Sequence, residues 1–412
     1  MDRFSKYCKV ISGYAFKAKD LMEEGDIPVI KIGNISNGGN VNISSNTQYV
    51  DKSFLSLDTK YHVKNRDILI SLTGSHMNQP NSMVGRSCRS YNKETYLLNQ
   101  RAGKVIPYDI ADKDYLYCLL SSEEIKYSIV IRAYGAANQV NISPSDIERI
   151  KWDFPEYDIQ CKIGKILCTY DDLIEKNNRK IEILQEMAEE LYKEWFVRFR
   201  FPGYKTAKFI DGIPEGWQEK EAKEIFDITI GRTPSRAKFD YFTGERENNY
   251  SWISISDMRN KTFVSDTKEY LTKDAIKACN MPMVEPNTVL LSFKLTVGQV
   301  TITTEKTSTN EAIAHFNTKN NILREYTYLY LKNFNYDKLG NTSAIGNAIN
   351  STIVKNMKFI LPADDILLKF NAIAGNIFDS ILSLTKQNEN LKTQRDLLLP
   401  RLMSGKLEVK VS

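Results

Sequence analysis

Ten residues, Thr73-Gly74-Ser75-His76-Met77-Asn78-Gln79-Pro80-Asn81-Ser82, concentrate glycine, amides and hydroxyls and lead on to Arg86 and Arg89. An Asn or Gln amide can pair bidentately with adenine, and an Arg guanidinium with guanine. Asn78, Gln79, Asn81, Arg86 and Arg89 are therefore candidates for contacting base edges or phosphates. The same composition also makes an ordinary surface turn, because Gly, Pro, Asn and Ser each favour turn geometry. Further along, Gly231-Arg232-Thr233-Pro234-Ser235-Arg236 is a basic loop in which Arg232 and Arg236 suit phosphates. Lys294 and Gln299, in the stretch that follows Ser292, offer one phosphate and one base contact. Two glycine–amide stretches, 135–139 and 346–348, read either as contacts or as turns.

Signals for catalysis are weak. The chain has no GxxxxGK[ST] phosphate loop, and no Asn-Pro-Pro-Tyr or Asp-Pro-Pro-Tyr of the kind that positions an adenine amino group. Asp112 or Asp114 with Glu124-Ile125-Lys126 comes nearest to a nuclease triplet, but reads as a solvated helix face in a chain with 26% charged residues. His62, His76 and His315 are scattered, and six cysteines without a CxxC pair argue against a metal site and for reduced thiols in the cytoplasm. A formal charge of +5 permits a nucleic-acid partner without requiring one. No apolar run is expected to cross a membrane, and no signal peptide is read at the N-terminus.

The elements that position these residues occur twice. Val63–Ser71 and Val284–Ser292 share one layout, an apolar strand ending in serine, 221 positions apart. Pro28–Ile35 matches Ser251–Met258, Asn99–Ala102 matches Asn310–Ile313, and Tyr115-Leu116-Tyr117 is paired with Tyr328-Leu329-Tyr330. A repeat of domain size means two versions of one module. The expected organisation is one domain over 1–156 and another over 202–362, each followed by a helix, over 157–201 and 363–407.

Ile163, Leu167, Tyr170, Ile174, Asn177, Ile181, Leu184, Ala188, Leu191 and Trp195 alternate spacings of four and three, the seam of a coiled coil. Phe370, Ile377, Leu384, Leu391 and Leu398 recur every seven residues in the second helix. Aligning the helices through Asn178 and Asn388 sets Gln387 opposite Asn177 in the repeat. The two helices are expected to pair antiparallel with Asn177 and Gln387 near mid-contact, as a spacer on the order of 50 Å. Trp195 and Phe196 read equally as a partner-facing helix end or as domain core.

Several of these stretches resemble the specificity subunits of type I restriction–modification systems. They are Ile11-Ser12-Gly13-Tyr14-Ala15-Phe16, Asp67–Gly74, Leu173–Asn178, Leu191–Phe199, Phe201-Pro202-Gly203, Gly212–Trp217 and Leu399–Leu407. The resemblance covers essentially the whole chain in order. It implies an α+β fold of two similar target-recognition domains with mixed sheets, separated by an antiparallel coiled coil. It also implies a non-catalytic subunit, each domain reading half of a split double-stranded DNA target, with two methyltransferase subunits and restriction/translocase subunits as partners. S-adenosylmethionine, ATP and Mg²⁺ would belong to those partners, and this chain would carry no cofactor. One departure is that the Pro-Glu-Gly-Trp leader of the second domain has no counterpart before Ile11. The rival class is a protein scaffold built from the same two domains and helices, with no DNA partner.

Overall fold

Short apolar and β-branched runs bounded by Gly, Asn and Asp form the strands of this chain. The computed structural model describes residues 1–43, 46–76, 84–136, 139–339 and 349–409. They fall into two compact units, Met1–Asn178 with Asn388–Ser412, and Arg179–Gln387.

In the first unit, β1 (Cys8–Ser12), β2 (Ile27–Ile30), β3 (Ile68–Ser71), β4 (Ser87–Arg89), β5 (Tyr96–Leu98) and β6 (Ala102–Pro107) form two sheets. The larger has the order β1–β6–β3–β4 and is antiparallel throughout. The other is mixed, because β2 and β5 run parallel while Gln48–Val50 and His62–Val63 flank them antiparallel. Strand β3 is buried on both faces. Ile68 and Ile70 pack with Leu116, Leu119 and Leu120 of helix α1 (Lys113–Ser121), whereas Leu69 packs with Ile30, Val63 and Leu98 of the second sheet. That is why its sequence is a continuous apolar run.

The second unit repeats the plan with β7 (Asp227–Ile230), β8 (Tyr250–Ile253), β9 (Val289–Ser292), β10 (Val300–Thr303), β11 (Ser308–Thr309), β12 (Ile313–Asn317) and helix α2 (Arg324–Lys332). Its larger sheet has the order β7–β12–β9–β10, with Phe263–Val264 added parallel on β10. Strands β8 and β11 form the parallel pair of the other sheet. Register agrees to the residue. Ala102 faces Ser71 as Ile313 faces Ser292, and Gly103 faces Ser12 as Ala314 faces Ile230. One expected match fails. Tyr117 accepts from Gly39 N at 2.9 Å, and Tyr328 bonds Thr262, the residue in Gly39's place, at 3.3 Å. Tyr115 and Tyr117 therefore correspond to Tyr326 and Tyr328, two residues earlier than the Tyr-Leu-Tyr identity suggests.

Two long helices join these sheets, a central one (Tyr157–Tyr192) and a C-terminal one (Asp364–Met403). The central helix ends in a π-helical turn, Lys193–Val197. Within the first unit their segments pack antiparallel, with Asp171 paired to Arg395 and Asn177 donating to Asn388 at 2.9 Å. Asn388 in turn donates to Asn178 at 2.8 Å. The expected central-helix seam is found, with Ile163, Leu167, Ile174 and Asn177 buried and Ile181 and Leu184 packed on the second unit's core.

On the C-terminal helix two corrections follow. Gln387 is exposed, and Asn388 is the buried amide opposite Asn177. Of the expected column only Phe370 is buried, while Ile377, Leu384, Leu391 and Leu398 are half-buried. The deeper column is Ala374, Ile381, Asn388 and Leu402, with the half-buried Arg395 between the last two, the other seam position of the heptad. Length and composition alone would let this helix cross a membrane, contrary to the sequence expectation. Its apolar face instead contributes Phe370, Phe378 and Ile381 to one core and Leu402 and Met403 to the other.

Strand β12 also carries His315, fully buried and bonded through Nδ1 to Thr229 at 2.8 Å and through Nε2 to Thr309 at 2.7 Å. Burial pushes its pKa down from 6.5 to about 4. The unfolded chain therefore takes up a proton that the folded chain refuses as pH falls from 6.5 towards 4. Stability should be unaffected above pH 7 and lost across that window by on the order of 3 kcal/mol. Urea unfolding at pH 7.5 and pH 4.5 checks this, with His315→Gln expected to flatten the difference.

Candidate nucleic-acid interface

Strands β7 and β9 both end where β12 begins, so three connections meet at one end of the second unit's larger sheet. The first opens at Gly231, whose N donates to Ile313 O at 3.1 Å. A Cβ there would lie 2.1 Å from Asn310 O, so only glycine allows this approach. Asn310 heads a tight turn. Its Oδ1 accepts from Ala312 N at 3.1 Å and its carbonyl accepts from Ile313 N at 3.3 Å, leaving Glu311 exposed at the tip.

The third connection is pinned by Ser292. Its Oγ donates to Thr296 O at 2.6 Å and accepts from Gln299 N at 3.0 Å, while Gly298 at φ +87 donates to Ser292 O at 2.9 Å. Between these anchors Lys294 is exposed and Leu295 is 94% exposed at φ +62, a conformation that disfavours leucine. Thr233 donates to Glu311. That hydroxyl, then a hydrogen bond from its own backbone N–H and last the Lys294 ammonium, hold the Glu311 carboxyl below its ordinary range against the opposing effect of partial burial.

The first unit has the same frame. A Cβ on Gly13 would lie 2.4 Å from Asn99 O. Asn99 heads the equivalent turn, with Ala102 N donating to its carbonyl at 2.8 Å, and Gln100 and Arg101 exposed at its tip. Ser71 again receives the returning chain, with Gly85 N donating to its carbonyl at 2.9 Å and Arg86 O accepting from its N at 2.8 Å. Tyr134–Ala136 and Gln139–Asn141 pair antiparallel, and the latter also pairs with Thr73–Gly74.

The sequence candidates divide clearly. Lys294 and Gln299 sit on the convergent loops of the second unit. Arg232 is at the same end but is occupied by the turn that follows the helix Lys273–Ala278, donating to Cys279 O at 2.7 Å and Asn280 O at 3.2 Å. Arg236 makes two bonds to Glu269, at 2.5 and 2.9 Å, and stacks 4.0 Å from the Phe242 ring. Arg86 is half-buried and donates to Ile32 O at 3.1 Å.

Arg89 cannot reach a duplex in this fold. It is fully buried, paired with Asp114 at 2.5 Å and lying 4.6 Å from the Tyr117 ring. Asn78, Gln79 and Asn81 lie outside the described residues, as do 137–138 and 346–348. Gln100, Arg101 and Glu311, on the turns that the Asn99 and Asn310 repeat marks, and Leu295, on the loop after Ser292, are exposed at these loop ends and were not among the sequence candidates. The nuclease-like set is dismantled: Asp112 caps α1 by accepting from Tyr115 N at 2.8 Å, and Lys126 is buried against Glu123 at 2.9 Å. Trp195 and Phe196 belong to the second unit's core. No group of three or more metal-ligating side chains placed to hold an ion occurs among the described residues.

Comparison with known proteins gives a consistent picture. A family model described as the type I restriction modification DNA specificity domain matches residues 6–185 and again 214–396. A type I restriction enzyme MjaIX specificity subunit from Methanocaldococcus jannaschii is 25% identical over 93% of this chain and 88% of its own length. A HindI specificity subunit from Haemophilus influenzae is 23% identical over 71% of this chain and 77% of its own length. Among solved structures, a type I restriction–modification S subunit from M. genitalium has the same fold, with a TM-score of 0.55 at 14% identity. It covers 97% of this chain and 95% of its own.

Proposed function

The chain belongs to the family of type I restriction–modification DNA specificity subunits, the non-catalytic DNA-recognition components of those systems, and on that premise we propose that each unit reads one half of a bipartite target. The observation that carries the reading is the duplicated loop end: one frame of Gly, Asn and Ser anchors, fitted with different side chains and loop lengths in the two units. A shared frame supplies the same approach to a duplex, and differing loops supply different base preferences.

Phosphate contacts fall to Lys294 and Arg101, which are exposed on those loops. Gln299 and the amides Asn78, Gln79 and Asn81 are the further base-contact candidates, as the sequence suggested. The long helices dock two methyltransferase subunits, and restriction/translocase subunits complete the enzyme. In that assembly S-adenosylmethionine, ATP and Mg²⁺ serve the partners, and catalysis is delivered by position. Six free cysteines support a reducing, cytoplasmic setting.

The test is co-expression with a methyltransferase subunit from the same genome, followed by single-molecule sequencing of methylated adenines across the host genome. A split motif with a fixed gap, lost on deletion of this chain, is the expected result. An active complex that yields no such motif overturns the reading and favours a scaffold.

A further inference from the structure

The two units hold one exposed side chain in the same cradle but differ in what it is. In the first unit Gln100 follows the turn-heading Asn99, and in the second Glu311 follows Asn310. The cradle is built alike. A glycine that tolerates no Cβ presses on each asparagine carbonyl, and the next loop is tied back by Leu72 N to Arg101 O at 3.0 Å or Phe293 N to Ala312 O at 2.9 Å. The backbone is thus over-determined while the tip residue is left exposed in both units.

A carboxylate is an odd occupant of a surface meant for a polyanion. It repels phosphates, and here Thr233 donates a hydrogen bond to it. Its useful chemistry on DNA is to accept a hydrogen bond from an exocyclic amine, which cytosine N4 and adenine N6 supply in the major groove. Guanine O6 and thymine O4 at the same place would meet acceptor with acceptor.

We propose that Glu311 and Gln100 are the specificity-determining base readers of their units, Glu311 selecting an amino-bearing base and Gln100 a base that offers both a donor and an acceptor. This rests on the DNA-reading function proposed above. Lys294 offsets the repulsion of Glu311 by neighbouring phosphates, and Thr233 aims its carboxylate.

The test is the same genome-wide methylation map, made with wild type, Glu311→Gln and Gln100→Glu in cells carrying the methyltransferase subunit. Both side chains are exposed, so folded protein is expected, and thermal unfolding confirms it. Glu311→Gln should relax one cytosine or adenine position in one half-site, with discrimination there falling about 5- to 150-fold. The other half-site should be unchanged. Gln100→Glu should alter one position in the opposite half and leave the first intact. The identity of the relaxed base distinguishes cytosine N4 from adenine N6.

An unchanged motif in both variants overturns the inference, as does a uniform fall in methylation with the motif intact, which would mark Glu311 as merely positioning the Thr233 loop. A wild-type complex that is active but shows no split motif overturns the underlying reading, and this inference with it.

Discussion

Replacing Asp114 with alanine should destabilise the first unit by about 3–5 kcal/mol, because it strands a buried guanidinium. Arg89 has no solvent exposure and its Nη2 lies 2.5 Å from Asp114 Oδ1. Asp114 also pairs with Arg66 at 3.2 Å, but that guanidinium is 38% exposed and its share of the loss is small. Arg89→Met should cost far less, since it removes the charge along with the need for a partner. The second unit already carries that arrangement. Ile302 N donates to Thr262 O at 2.8 Å as Arg89 N donates to Gly39 O at 2.8 Å, and Ile302 is equally buried. Hydrogen exchange read separately over the two units of the full chain checks both variants. Equal losses for the two, or a loss under 1 kcal/mol for Asp114→Ala, would remove the ion pair from any account of stability.

Phe370→Ala should cost the second unit a similar 3–5 kcal/mol, the range for deleting a fully buried aromatic ring. Phe370 has no exposure, and its ring centroid lies 4.8 Å from Phe196 and 5.7 Å from Trp195. It is where the start of the C-terminal helix meets the π-turn at the end of the central one. The chain has four tryptophans, and three of them, Trp195, Trp217 and Trp252, lie in this unit. Tryptophan fluorescence during urea unfolding should therefore show the shifted midpoint directly. Amide exchange in β3 and β6 should be unaltered. A variant with a wild-type midpoint would mean that this aromatic cluster does not hold the two helix ends together.

How far the sequence reaches can be seen at individual positions. The strand pairs around Ser71 and Ser292 were legible because β3 and β9 are covered on both faces, which demands a continuous apolar run in each. The tyrosine match slipped by two because Tyr326-Thr327-Tyr328 replaces a buried leucine with a threonine, and residue identity outweighed position. On the C-terminal helix the deeper column stayed hidden. Ala374, Asn388 and Arg395 do not look like a seam, and only the amide and ion-pair partners Asn177 and Asp171 make them one.

Arg89 failed as a contact for a related reason. A basic residue after a polar loop looks like a phosphate ligand until its carboxylate partner, 25 positions away, is seen. Glu311 was passed over because a search for DNA contacts favours positive charge. The role proposed for it rests on a backbone frame assembled from Gly231, Asn310 and Phe293, which are far apart in sequence.

The returning chain is caught by the same serine in both units, yet the intervening stretch holds 13 residues in one (Leu72–Val84) and five in the other (Phe293–Val297). Closing the longer span instead of the shorter costs only about 1 kcal/mol of chain entropy, and strand register on either side is untouched. Insertions at this point are therefore nearly invisible to folding while they change the surface that the proposed function presents to a duplex. A lineage carrying such a chain can drift from one recognition sequence to another by slippage or exchange of a few codons, and natural selection on stability would scarcely notice.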